Sequence, residues 1–262
     1  MSAAGARQAF LPNWPRRLGL LALGLYTLYA LSTLEMTLGR FIKGIDQGAI
    51  FLRRLWPPNM APDRIALMNE GLLESIQIAV LSSALGIVLS LPIGLMAARN
   101  ISPVWLSWTG RLLIALCRSF HPMIVAILFV KAVGFGALAG VLALVVASIG
   151  FISKLFAEAI EEMNMKQVEA VRATGASWFN VLIIGVLPQV IARFVGFCAY
   201  QLDSNLRNST MVGIVGGGGI GAALFTAYQR FDYDFVMTIL LAIIAIIMVS
   251  ELMSGWLRRV YQ

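Results

Sequence analysis

Long apolar runs without a single charge constrain this chain more than anything else in it. Residues 18–34, 75–98 and 132–153 carry no Asp, Glu, Lys or Arg. A helix rises 1.5 Å per residue, so about 20 apolar residues cross the roughly 30 Å core of a bilayer. Residues 179–202, interrupted by Pro188 and Arg193, and residues 235–257, carrying Glu251, read the same way. A less regular run, 112–130, contains Arg118, His121 and Pro122. Of the 262 residues, 59% are hydrophobic and 13% charged. A soluble domain carries about 25% charge. This excludes a soluble enzyme, a disordered chain and a fibrous protein. The runs are continuous rather than alternating, which excludes a membrane β-barrel. The expected fold is an all-α integral membrane protein with about six transmembrane helices.

A further uncharged stretch, 208–229, contains Gly213, Gly216, Gly217, Gly218, Gly219 and Gly221. So many glycines cost too much helix propensity for an ordinary span. Both ends of the chain are basic, with Arg7, Arg16 and Arg17 at one and Arg258 and Arg259 at the other. Positive residues favour the cytoplasm, so the number of crossings is even and both termini are cytoplasmic. The glycine-rich stretch is then a re-entrant or broken segment before the last helix, buried against protein. Upstream, Leu38, Phe41, Ile42, Ile45, Ala49, Leu52 and Leu55 recur at three and four, one face of an amphipathic helix lying in the interface. Trp56 and Pro57-Pro58 end it. Residues 1–70 thus form an N-terminal span plus an interfacial helix, and residues 71–262 form the core. The first run lacks a small-residue cleavage site and is expected to be retained rather than removed.

The net charge of +7 fits basic anchors at helix ends better than nucleic-acid binding. Cys117 and Cys198 lie inside apolar runs, and His121 is the single histidine. This supports neither a disulfide framework nor a metal site.

The scarce charge is concentrated. Lys154, Glu158, Glu161, Glu162, Lys166, Glu169 and Arg172 fall within nineteen residues. Several are three or four apart, the spacing of one helix face, and Gly175 is a plausible stop. By the six-span topology this island, about 158–178, projects into the cytoplasm. It contains Glu169-Ala170-Val171-Arg172-Ala173-Thr174-Gly175, with Leu187-Pro188 twelve positions beyond the glycine. That arrangement resembles the EAA signature of the permease subunits of bacterial ABC importers: Glu-Ala-Ala, three residues, Gly, nine residues, Ile, one residue, Leu-Pro. Val171 replaces the second Ala, and Gly185 stands at the Ile position. The resemblance extends from about residue 70 to the end. It implies that this segment is a coupling helix docking on an ATPase subunit. Ala170, Ala173, Gly175 and Ala176 would allow close approach, Glu162 and Glu169 would supply charge, and Val168 and Val171 would anchor.

Three stretches resemble one subfamily, the phosphonate importer permeases. They are residues 150–161, residues 169–175 with Leu187-Pro188-Gln189, and Asn205-Leu206-Arg207 leading into the glycine run. Methionine-type importer permeases carry a similar run. Arg118-Ser119 followed by Pro122 also resembles the subfamily, although His121 and Met123 flank the proline where the pattern differs. The resemblance implies a phosphorus oxyanion as cargo: phosphonate, phosphite or a phosphate-like ion. It further implies a homodimer of this chain, two ATP-binding subunits holding ATP and Mg, and a periplasmic binding protein. No cofactor and no catalytic residue would belong to this chain, which lies in the inner membrane in contact with the lipid bilayer and binds no nucleic acid.

The chemistry of individual residues bears on the cargo path. An intramembrane Arg costs about 2.5–3.5 kcal/mol or more and usually faces a cavity or protein. Arg118, with Ser119 and His121, either lines an anion path or, for Arg118, snorkels to the interface; a lone His121 is more often a satisfied core residue. Asn205, Arg207, Ser209 and Thr210 are candidates for a polar entrance at the far end of the fifth span, since Arg suits oxyanions by its forked geometry. Arg193 is as well explained by structure. Gly216, Gly218 and Gly221 satisfy G-x-G-x-x-G, but no βαβ context accompanies them. Turns and helix approach at a gate explain them better, and their N–H groups can also face an anion. Two other functions compete with this one: an ABC importer for another solute such as an amino acid, and an ion-coupled secondary transporter. The latter needs intramembrane carboxylates and repeated halves. Glu251 is the one carboxylate well inside an expected span, and no repeat is visible.

Overall fold

The computed structural model describes residues 14–34 and 38–261, and every regular element among them is helical. Arg7 lies outside the described residues. The chain divides into two units, Met1–Arg54 and Leu55–Gln262. The first holds α1 (Trp14–Thr33) and nearly all of α2 (Leu38–Leu55). The apolar face of α2 is exposed at Leu38, Phe41, Ile42, Ile45 and Leu52, and the helix stops at Leu55, before the prolines.

The second unit contains α3 (Pro62–Ala97), α4 (Val104–Ser119), α5 (Pro122–Val133), α6 (Ala137–Glu161), α7 (Met165–Ala173), the single turn α8 (Trp178–Asn180), a π-helical stretch (Val181–Val186), α9 (Leu187–Ile214), α10 (Ile220–Gln229) and α11 (Tyr233–Tyr261). Four helical segments are long and apolar enough to cross a membrane, or up to six if each bent helix pair counts as one span. The irregular run with Arg118 and Pro122 is not one helix. α4 and α5 meet at an angle of 88°, because Pro122 forces residue 121 out of helical geometry. The fifth span also runs further than its apolar pattern suggested, continuing through residues 208–214 to Ile214.

Helix packing in lipid gains little from apolarity and much from close backbone approach. α3 accordingly buries a stripe of small residues, Gly71, Ser75, Ala79, Ser82, Gly86, Ser90, Gly94 and Ala97, which recurs at three and four. α6 is its main partner. A Cβ added at Gly94 would lie 2.7 Å from the Phe156 ring. The Ser153 hydroxyl donates to the Ser90 carbonyl across the same seam, at 3.2 Å.

The helix ends sort by side. Asn59 donates to Asp234 at 2.9 Å and Arg64 pairs with Asp232 at 3.2 Å, bringing together the starts of α3 and α11. At the other side Glu161 accepts from the Arg99 amide at 2.7 Å and from Arg111 at 2.6 Å, joining the ends of α3 and α6 to α4. That second side also carries α7.

Candidate functional sites

The charged island folds as the end of α6, a short turn and α7. Asn164 caps α7 by accepting from the Lys166 amide at 3.1 Å. The helix ends where Gly175 adopts φ +77°, its N–H bonded to the Arg172 carbonyl at 3.0 Å. Only a residue tolerant of left-handed geometry closes a helix this way. Glu169, Ala170, Ala173 and Gly175 are exposed together. Glu169 makes no ion pair among the described residues. Glu162 pairs with Arg193 on α9 at 2.8 Å, which gives Arg193 a structural role.

Val168 is not an outward anchor. It is fully buried, with its Cα 3.4 Å from where a Cβ would stand at Gly185. Val171 packs on the same cluster. The small residue at the signature's Ile position therefore seats α7 against the π-helical stretch. The valines and Ala176 hold the rod in place, and Glu169, Ala170, Ala173 and Gly175 face outward.

The residues expected to form a polar entrance separate. Asn205 and Ser209 are fully buried. Asn205 donates to Ser83 and Ser148 at 2.9 Å each, and Gln201 donates to Ser148 and Asn205, also at 2.9 Å. These amides join α3, α6 and α9 and do not line an entrance, because a buried amide must find partners and the serines supply them. Thr210 is half-buried, and its carbonyl fills the space beside Gly221. Arg207 is exposed but bonded to Asp203, whose other oxygen accepts from Ser250 on α11 at 2.8 Å. Its charge is thereby offset. Asp203 is a buried carboxylate within α9 that the apolar pattern missed, because the fifth apolar run stops at Leu202. Its i,i+4 spacing to Arg207 was the available signal. Glu251, by contrast, is exposed.

The glycine run breaks the chain between α9 and α10. Gly216, Gly218 and Gly219 have φ of +99°, +78° and +74°. Ten-residue α10 is about 15 Å long, too short to cross. The loop is tied down: the Gly136 amide donates to the Gly216 carbonyl and the Ile220 amide to Ser75, each at 2.9 Å. The Gly216 and Gly217 amides are spent on Gly213 and Val212, so neither faces an anion.

Arg118 and Ser119 line a cavity of about 440 Å³ between α4 and α6, together with Arg111, Lys154 and Glu158. His121 is exposed and is not a core residue. Its ring accepts from the Met123 amide at 3.3 Å and caps α5.

Residues 90–262 match the family described as the binding-protein-dependent transport system inner membrane component. The chain belongs to that family. It is a transmembrane permease of an ABC importer in the inner membrane, a transport component. It is 36% identical over 252 residues, 94% of this chain and 90% of the relative, to the phosphite transport system permease protein PtxC of Stutzerimonas stutzeri. It is 40% identical over 206 residues to the phosphate-import permease protein PhnE of Mycolicibacterium smegmatis, covering 78% of this chain but only 38% of that longer protein. The inward-facing MetNI methionine ABC transporter shares the fold, with TM-score 0.69 and 23% identity over 78% of this chain and 100% of that one.

Proposed function

We propose that the chain carries a small phosphorus oxyanion, phosphite, phosphate or a phosphonate, into the cytoplasm. The observation that carries this reading is the 36% identity to a phosphite permease across 94% of the chain. In this reading a separate ATPase holds ATP and Mg and docks on the exposed face of α7, at Glu169, Ala170, Ala173 and Gly175. A periplasmic binding protein delivers the ion, and two copies of this chain enclose the path. Alternating access is a rigid-body change in how the copies pack, and α7 transmits it because Val168 fixes that helix to the span that follows. The broken glycine segment supplies the gate. The test is uptake of phosphite, phosphate and methylphosphonate by proteoliposomes containing the chain with its ATPase and binding protein. Vanadate-sensitive accumulation of at least one is expected. Accumulation of methionine but of none of these ions, or uptake driven by a proton gradient without ATP, overturns the reading.

A further inference from the structure

The cavity between α4 and α6 contains more cations than its own acids use. Arg111 is held by Glu161 at 2.6 Å through one terminal nitrogen, and Glu161 also takes the Arg99 amide, so this charge is paired where three helices meet, although the buried Arg111 Nε has no partner among the described residues. Lys154 faces Glu158 at 3.5 Å, a loose pair with both side chains about half exposed. The Arg118 side chain makes no hydrogen bond or ion pair among the described residues. Ser119 adds little, because its hydroxyl is spent on the Ala115 carbonyl at 2.7 Å.

These groups are ordered along α6. Gly150 lies against Arg118, where an added Cβ would stand 2.8 Å from the Arg118 Cγ. Lys154 and Glu158 follow at successive turns of the same helix face. Gly150 is eleven residues from Glu161, on the order of 16 Å along the axis, or about half the bilayer core. Lys154 is about 10 Å from that end. The lane therefore runs from near the middle of the membrane to the side that carries α7.

We propose that Arg118 and Lys154 form an exit-side subsite for the transported phosphorus oxyanion, with Glu158 as the built-in competitor that releases it. This rests on the oxyanion reading above. An arriving anion gains the unpaired guanidinium of Arg118 and draws Lys154 from Glu158. Recovery of Lys154 by Glu158 then expels the ion toward the ATPase side. Binding is weak by design, because a path must let its cargo leave. Gly150 is a positioning residue whose missing side chain leaves room for the Arg118 stem.

The test measures ³¹P line broadening of inorganic phosphate and of phosphite by the full chain with its ATPase, in phosphate-free maltoside micelles, alongside uptake in proteoliposomes. Wild type is expected to broaden at least one line. R118Q should weaken binding about tenfold or more, R118K should retain part of it, and E158Q should tighten it severalfold while slowing uptake. No broadening by wild type overturns the subsite. So does equal broadening by R118Q and wild type, or unchanged R118Q uptake in a transporter that still imports phosphite or phosphate; that last result leaves the proposed function standing. Because a lipid headgroup offers the same oxyanion, native mass spectrometry provides the other arm. Phosphatidylglycerol retained by wild type and lost in R118Q, without competition from free phosphate, assigns the residue to lipid and overturns the proposal.

Discussion

Asn205 on α9 and Ser148 on α6 are hydrogen-bonded at 2.9 Å, and the same amide group reaches Ser83 on α3 at 2.9 Å. One fully buried side chain thus connects three helices of the core. Asn205→Ala removes three hydrogen bonds from the cluster, each worth about 0.5–1.5 kcal/mol net. The thermal unfolding midpoint in detergent should fall clearly. A midpoint equal to the wild type's would show that the cluster adds nothing.

Val168 seats α7 by packing beside Gly185. Val168→Asp puts a charge into that contact and should release the rod while the long helices stay folded. Trypsin should then cut faster after Lys166 and Arg172, which lie on the outer part of α7. Unchanged cleavage would mean that α7 is held by something else.

A Cβ at Gly175 would meet nothing within 4 Å, so space does not limit substitution there; its φ of +77° does. A branched side chain in left-handed geometry costs about 1–2 kcal/mol, and Asn tolerates it best. ATP-driven uptake should fall in the order wild type, Gly175→Asn, Gly175→Val. Equal uptake by Val and Asn variants would rule out the backbone as the reason for glycine.

Gly221 and Gly196 lie in α10 and α9 and should behave oppositely. A Cβ at Gly221 runs into the Thr210 carbonyl, whereas one at Gly196 meets nothing within 4 Å. Gly221→Ala should abolish folded protein on size-exclusion chromatography. Gly196→Ala should be neutral or stabilise by up to about 1 kcal/mol through helix propensity.

The spans and the island were legible in the sequence because both are local. An uncharged run of bilayer length or a cluster such as Glu158 to Arg172 carries its meaning in composition and spacing. The glycine interruption was visible, since glycine acts on its own backbone, whereas residues 112–130 were expected as one span and the structure breaks them at Pro122. Partner choice was not legible. Asn205 and Ser209 look like entrance residues near a helix end, yet both are fully buried, Asn205 among serines of two other helices. Val168 and Ala170 are two positions apart, and only packing shows that one faces inward and the other outward.

The sequence alone therefore determined that this chain spans a membrane and that its glycine-rich stretch interrupts a helix. Those outcomes follow from the cost of placing charge and unpaired backbone in hydrocarbon, which each segment meets independently of the others. Only the tertiary structure decided which cations remain available. Arg111 and Arg193 each find a carboxylate distant in sequence, and the Arg118 side chain finds none among the described residues. That depends on how helices distant in sequence come to face one another, which the stripe of small residues on α3 permits by letting α6 approach closely.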